Sequence, residues 1–237
     1  MKINLSALFL CLLLLAASAH AQAYVHPLPQ AVENTKIYPL GWSPDGKFAY
    51  IYFSNEEDLV GMVFEFRVVV VDLITDEETV VFESLTPPFD AHPDDYIGFE
   101  TAWDYLAPDF IPLLEEKAIV ISDPVLHPLP LSHRRTGDNV LHIHISVSTE
   151  QTTMMGFETE YIGSFAVQAI NHDGLQKTIT RQTNTDTTVG KITAIGAFIS
   201  PYENRAAILL DLHRFGPDVS PRHRYQIVGC HLQRGFQ

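Results

Sequence analysis

From Ile37 onward the apolar residues come in short β-branched and aromatic runs, each broken by a polar turn. Phe48-Ala49-Tyr50-Ile51-Tyr52-Phe53 is apolar throughout. Met62 to Leu73 carries Phe64, Phe66 and Val68-Val69-Val70-Val71, and Thr79-Val80-Val81-Phe82 follows the polar Thr75-Asp76-Glu77-Glu78. The pattern resumes at Val140 to Val147, where alternation places His142, His144 and Ser146 on one face. Ser164 to Ile170 and Lys177 to Arg181 flank Asn171-His172-Asp173-Gly174. Gly196 to Ile199 and Ala206 to Leu212 flank Ser200-Pro201-Tyr202-Glu203-Asn204, and Arg224 to Leu232 is the last such run. Runs of this kind separated by turn residues predict antiparallel sheet.

One stretch has a different period. Ile97, Phe99, Ala102, Trp103, Tyr105 and Leu106 recur at near-helical spacing after Asp94 and Asp95, either of which suits a helix N-cap. Pro108 predicts a stop near Ala107, with a second short turn through Leu113-Leu114. The expectation is a short helical insertion around 95–117 lying on the sheet. Pro124, Pro128, Pro130 and Gly137 mark 123–138 as a loop, and 22–36 reads as an extended lead-in.

The first residues read as an address. Lys2 precedes an apolar run from Leu5 to Ala17, and Ala19-His20-Ala21 supplies small residues at the positions a signal peptidase recognises. The run falls short of the roughly 20 residues that span a bilayer. Residues 1–21 are therefore expected to be a cleaved secretory signal, leaving no membrane insertion and a secreted or periplasmic product. Removal of Lys2 takes the net charge from −14 to −15. Such acidity argues against nucleic acid and anionic lipid as partners. Cys11 leaves with the signal, so Cys230 has no intramolecular partner; Val228-Gly229 before it suggest a buried strand position and an inert thiol, the alternative being a reactive or intermolecular one.

Two corners look alike. Trp42-Ser43-Pro44-Asp45-Gly46-Lys47 and Ile199-Ser200-Pro201-Tyr202-Glu203-Asn204-Arg205 both join an apolar strand to an apolar strand through Ser-Pro, a polar turn and a basic residue. Proline presets φ for the first corner, and Asp45-Gly46 adds a polar side chain and a position suited to positive φ. A second pair of tight turns, at Thr75-Asp76-Glu77-Glu78 and Asn171-His172-Asp173-Gly174, supports two diverged repeats over 37–83 and 140–212 within one β domain, 37–237.

Trp42-Ser43-Pro44-Asp45-Gly46-Lys47 resembles the blade motif of TolB-like, WD40-like β-propellers over about ten residues. Ser200-Pro201 lacks the Asp-Gly. The wider layout is similar to a family of predicted secreted bacterial proteins of unknown function: leader, early Leu-Gly-Trp-Ser-Pro-Asp-Gly-Lys, Val-Val-Asp strand and closing Arg-Tyr-Gln-Ile-Val-Gly. The resemblance implies export and propeller-like sheets, and it carries no catalytic residue. A closed propeller needs at least four blades of roughly 40 residues. The expected fold is therefore mostly β, with antiparallel propeller-like sheets forming a partial propeller or a two-sheet sandwich.

Candidate chemistry is sparse. His142 and His144 share a strand face and could chelate a divalent metal, given a third ligand from His127, His133 or the Asp90, His92, Asp94 cluster. The same face reads equally as solvated polar alternation, and Asp90 to Asp95 reads equally as helix capping. Trp42, Trp103, Tyr96 and Tyr105 could line a glycan or peptide groove or sit in the core. His133-Arg134-Arg135 is a small basic island suited to an acidic partner or to solvent. No nucleophile elbow, phosphate loop or dinucleotide fingerprint occurs. The expected function is a non-enzymatic exported protein binding an envelope protein or a small ligand, with no cofactor. The alternative is a metal-binding protein or metal-dependent hydrolase using His142 and His144.

Overall fold

A computed structural model describes residues 26–58, 61–87, 96–137, 140–154, 156–215 and 222–237. The expected signal segment, and with it Cys11, lies outside them, as do Asp90, His92, Asp94 and Asp95. The apolar runs form β1 (Ile37–Trp42), β2 (Lys47–Asp58), β3 (Gly61–Asp72) and β4 (Glu77–Ser84). Helix α1 (Phe99–Glu116) precedes three two-residue strands, β5 (Val120–Ile121), β6 (Leu126–His127) and β7 (Leu131–Ser132). Then come β8 (Val140–Met154), β9 (Phe157–Ile170), β10 (Gln176–Thr183), β11 (Val189–Ile199), β12 (Arg205–Arg214) and β13 (His223–His231).

These strands make three antiparallel sheets. The first has the order β4-β3-β2-β1-β5, the second β13-β12-β11-β6 and the third β10-β9-β8-β7. The segment expected to be a plain loop, 123–138, carries β6 and β7. Together with β5 it runs across the molecule and gives one short edge strand to each sheet in turn.

Strand alternation sorts side chains into three cores. On β12, Ala206, Ile208 and Leu210 pack toward the third sheet, whereas Ala207 and Leu209 pack toward the first. On β2, Phe48 and Tyr50 face the second sheet, and Ala49, Ile51 and Phe53 face α1. The layers are thus helix, first sheet, second sheet, third sheet, and the stack does not close into a ring or barrel. Sheets covered on both faces need apolar residues at successive positions, which is why β2, β3 and β12 read as unbroken apolar runs. Only one face of the third sheet is covered: Ile143, Ile145, Phe165 and Val167 face its core, and His142, His144 and Ser146 face solvent.

Helix α1 departs from expectation. It runs unbroken through Pro108 and Pro112 rather than stopping near Ala107, and its N-cap is Gly98 with no side-chain cap. Both prolines stand on the exposed face, one turn apart. The opposite face buries Phe99, Trp103, Leu106, Phe110 and Leu114 against the first sheet. Burial of each such side chain contributes about 1.5–3 kcal/mol, and together they outweigh the roughly 3 kcal/mol that each interior proline costs. Among the described residues no helix is long and apolar enough to cross a membrane.

The sheets converge at one point. A Cβ placed on Gly229 of β13 would lie 1.9 Å from the Leu73 carbonyl oxygen at the end of β3. Asp76, at the end of the turn that Leu73 begins, accepts a hydrogen bond from the Gly229 N–H at 2.7 Å, and Thr180 of β10 stands beside the same carboxylate. Arg205 of β12 donates to the Leu73 carbonyl at 2.9 Å.

Gly229→Ala is expected to lose about 3 kcal/mol or more of stability, because the added methyl meets backbone rather than a side chain that can rotate away; urea unfolding measures it. Pro108→Ala is expected to raise stability by up to about 3 kcal/mol with unchanged far-UV circular dichroism, since alanine restores an interior helix hydrogen bond.

Candidate functional site

The residues singled out by sequence scatter across the molecule. Ser43-Pro44-Asp45-Gly46 forms the corner between β1 and β2. Its buried Ser43 hydroxyl accepts the Lys47 N–H at 2.9 Å, Gly46 adopts φ 92°, and Asp45 pairs with Lys47 at the surface. Ser200-Pro201 forms the corner between β11 and β12, where the buried Ser200 hydroxyl accepts from Tyr202 at 3.2 Å and Glu203 at 3.3 Å. The two corners lie side by side: a Cβ on Gly46 would meet the Glu203 carboxylate, and the Phe48 and Phe198 rings stack at 5.0 Å. These are turn-building serines, each saturated by local backbone. Residues 140–212 span strands of both the third and the second sheet.

His142 and His144 stand exposed on the outer face of the third sheet, opposite Ile170 and Gln168 of β9. Among the described residues no three His, Cys, Asp or Glu side chains come together to hold a metal. His127 and His133 meet each other instead, with ring centroids 5.1 Å apart, and His133 caps the short 3-10 turn Arg134–Thr136. Arg135 donates to the Pro201 carbonyl. Trp42 and Trp103 are core residues, while Tyr96 and Tyr105 are exposed, so the four line no common groove. Cys230 is buried, and burial raises its thiol pKa, which leaves it protonated and unreactive.

A different set of side chains does converge. From the point where Gly229 meets Leu73, the first and second sheets diverge and leave a cleft of about 380 Å³. One wall is Tyr50 and Tyr52 of β2 with Glu65, Arg67 and Val69 of β3. Glu78 and Val80 of β4 line its edge. The other wall is Arg214 at the end of β12 with His223, Arg224 and Tyr225 of β13.

A β-bulge aims β4 at this cleft. The register jumps from Val68↔Phe82 to Val69↔Val80. The extra residue reverses which face each side chain takes, so Phe82 packs toward α1 while Val80 and Glu78 turn to the cleft. On β13, His223 and Tyr225 are two residues apart, and their rings lie within 11° of parallel with centroids 6.3 Å apart. His213 of β12, cross-strand from His223, extends the set at 4.9 Å and 23°.

The polar groups are tied together. The Tyr50 hydroxyl donates to Glu78 at 3.5 Å, and Glu78 accepts the Ile227 N–H. Asp76 at the end of the β3–β4 turn and Glu78 on β4, two residues on, thus hold the Gly229 and Ile227 N–H groups on the free edge of β13. Burial raises the Glu78 carboxyl pKa, and the Ile227 N–H and Arg224 pull it back only in part. Burial and the neighbouring Glu65 push Tyr52 up to about 12, and burial with Asp211 pushes Tyr225 up to about 12. Burial and Glu78 push Tyr50 higher still. All three phenols are therefore hydrogen-bond donors at any physiological pH.

Two arginines are already neutralised. Arg67 pairs with Glu65 at 2.9 Å and Glu83 at 2.6 Å, and Arg214 pairs with Asp186 at 2.9 Å. His223 meets Asp211 at 3.0 Å. Arg224 enters no ion pair within 4 Å among the described residues. Sequence reading missed this site because its walls lie far apart along the chain. The available signal was local: Arg222-His223-Arg224-Tyr225 is a basic, aromatic stretch in a strongly acidic protein.

A raised carboxyl pKa in the folded state means the folded protein holds the proton more tightly than the unfolded chain. The Glu78 contribution to stability is therefore fully present below its ordinary 4.5 and is lost as pH rises through the elevated value. Glu78→Gln is expected to melt like the parent in acid and progressively above it toward neutral pH, as read by paired thermal melts across that range. No family model, curated protein or solved structure matches the chain.

Proposed function

We propose that this chain is an exported, non-catalytic binding protein whose blade-like sheets form an open, partial propeller and take up a small polar ligand in the cleft between the first and second sheets. The observation that carries the reading is the cleft itself: an open-mouthed notch of small-molecule size, lined on both walls by aromatic and charged side chains. Three of its lining residues are arginines, in a chain of 237 residues with only 15 Lys and Arg. That concentration sets the cleft apart from the acidic remainder of the molecule.

Supporting points come from elsewhere in the chain. The leader-like first 21 residues favour export, and the Ser43-Pro44 corner fits a blade turn. Among the described residues the cleft lining holds no serine, threonine or cysteine. Its dissociable groups are engaged in fixing the walls: Glu78 holds β13, and Asp211 holds His223. A rigid lining of this sort suits recognition.

Val80 lines the cleft and is 51% exposed, so an arginine there fills the notch without disturbing a core. In a small-molecule thermal-shift screen of the full chain, a ligand present at 100 times its Kd adds about 2.7 kcal/mol of stability. That is a rise of roughly 5–10 °C for a protein of this size. Hits are expected to shift the parent and to leave Val80→Arg unmoved. Hits that stabilise both proteins equally would place binding outside the cleft and end the proposal.

A further inference from the structure

The outermost strand of the second sheet is β13. It pairs with β12 from His223 to His231 without a register shift. In such an antiparallel pair every second residue turns its N–H and C=O away from the partner strand. Residues 231, 229 and 227 belong to that outward set. The His231 carbonyl takes the Lys177 ammonium, and the Gly229 and Ile227 N–H groups go to Asp76 and Glu78. Tyr225 and His223 have the same parity and continue the row. Among the described residues no hydrogen bond reaches their outward N–H and C=O groups.

The row goes bare where the wall opposite runs out of acceptors. Asp76, Glu78 and Val80 come at two-residue steps, and only the first two carry a carboxylate. The cleft opens at the third step and runs round the edge of the strand: Arg224 alternates to the other face from His223 and Tyr225, yet all three line it. We infer that the bare edge of β13 at Tyr225 and His223 is a docking site for a short extended peptide, which lies in the cleft and adds to the second sheet as a further strand; this deepens, and rests on, the reading of the cleft as a binding site.

A peptide main chain is the complementary occupant. Two outward N–H and two outward C=O groups alternate along the edge, with residues 223 and 225 about 7 Å apart. An extended backbone carries the same alternation at the same spacing, and strand addition uses it. The charged side chains nearby ask for little else. Arg67 is paired with Glu65 and Glu83, Arg214 with Asp186, and His223 with Asp211. A neutral backbone fits where an ion would find these countercharges taken. Side chains of an added strand alternate between the two neighbouring sheets. Those turned to the first sheet meet Tyr52 and the exposed Val80, which favours an apolar residue at every second position.

The test is selection of capped hexapeptides from a degenerate library on the immobilised full chain. Calorimetry then follows the enriched peptides and their single amide-to-ester variants, each lacking one N–H. The expected result is saturable binding that Val80→Arg abolishes while its thermal melt shows a folded protein. The ester scan is expected to alternate: every second replacement weakens binding about three- to tenfold, as loss of one hydrogen bond does, and those between leave it unchanged. Amide exchange read by NMR is expected to find Tyr225 and His223 unprotected in the free chain, beside protected Gly229 and Ile227, and protected in the complex. An ester scan without alternation, or a complex in which those two amides exchange as before, overturns the inference. So does a free chain that sediments as a dimer with both amides protected, which gives the edge to a second copy. Failure to enrich any peptide while cleft-dependent hits from the thermal-shift screen persist also overturns it and leaves the binding reading standing. Loss of both signals fails the two together.

Discussion

The contact between Gly229 and Leu73 governs the arrangement of everything around it. Two β-sheets normally pack about 10 Å apart, and here a strand edge comes within touching distance of a turn backbone because residue 229 has no side chain. Asp76 then converts proximity into a bond, and its carboxylate reaches β13 and β10 at once. Glu78, one alternation further along β4, repeats the gesture on Ile227. A free β-edge is an aggregation hazard when its N–H groups are unsatisfied. On β13 two of those groups, at Gly229 and Ile227, are taken by side chains from the β3–β4 turn and β4, so edge protection and sheet–sheet attachment coincide there.

The cleft follows from that device by geometry. The sheets are pinned at Gly229 and Ile227, and past Ile227 β4 offers Val80, which has no carboxylate to continue the series. The sheets separate there, and Tyr225, Arg224 and His223 are left facing Tyr52 and Arg67 across open space. The same acidic group that ends the attachment, Glu78, begins the site. Its raised pKa is the electrostatic mark of that boundary position, half inside the joint and half beside solvent.

Much of the architecture was legible. The β2, β3, β8, β9, β11, β12 and β13 runs were visible as β-branched and aromatic clusters, because each lies in a sheet and period 2 is a local property. The Ser43 and Ser200 corners were legible for the same reason: serine, proline and backbone dictate them within five residues. Burial of Cys230 could be read from Val228 and Gly229. The rest depended on partners distant in sequence. Continuation of α1 through Pro108 is decided by the first sheet, which supplies the apolar surface for Phe110 and Leu114. The bulge that turns Glu78 inward arises from β3–β4 register, and no residue near position 81 announces it. The two residues in each of β5, β6 and β7 are too few for any periodic signal. His142 and His144 were correctly placed on one face, but a shared face says nothing about a third ligand, and the neighbours in that sheet are Ile170 and Gln168.

The passage of residues 120–132 across all three sheets has a consequence for how the chain assembles. It places β6 in the second sheet more than sixty residues ahead of β11, and the whole third sheet is spliced between them. As the polypeptide emerges from its N-terminus, the first sheet and α1 can form from contiguous sequence, and so can the third. The middle layer cannot exist until the final strands arrive. Until then Trp42, Phe48 and Val69 on one neighbour, and Phe165 and Val167 on the other, face outward with no cover. The layer that must form last is thus the one that covers both of its neighbours, and the segment from Val189 onward acts as the keystone without which both earlier halves remain adhesive to anything nearby.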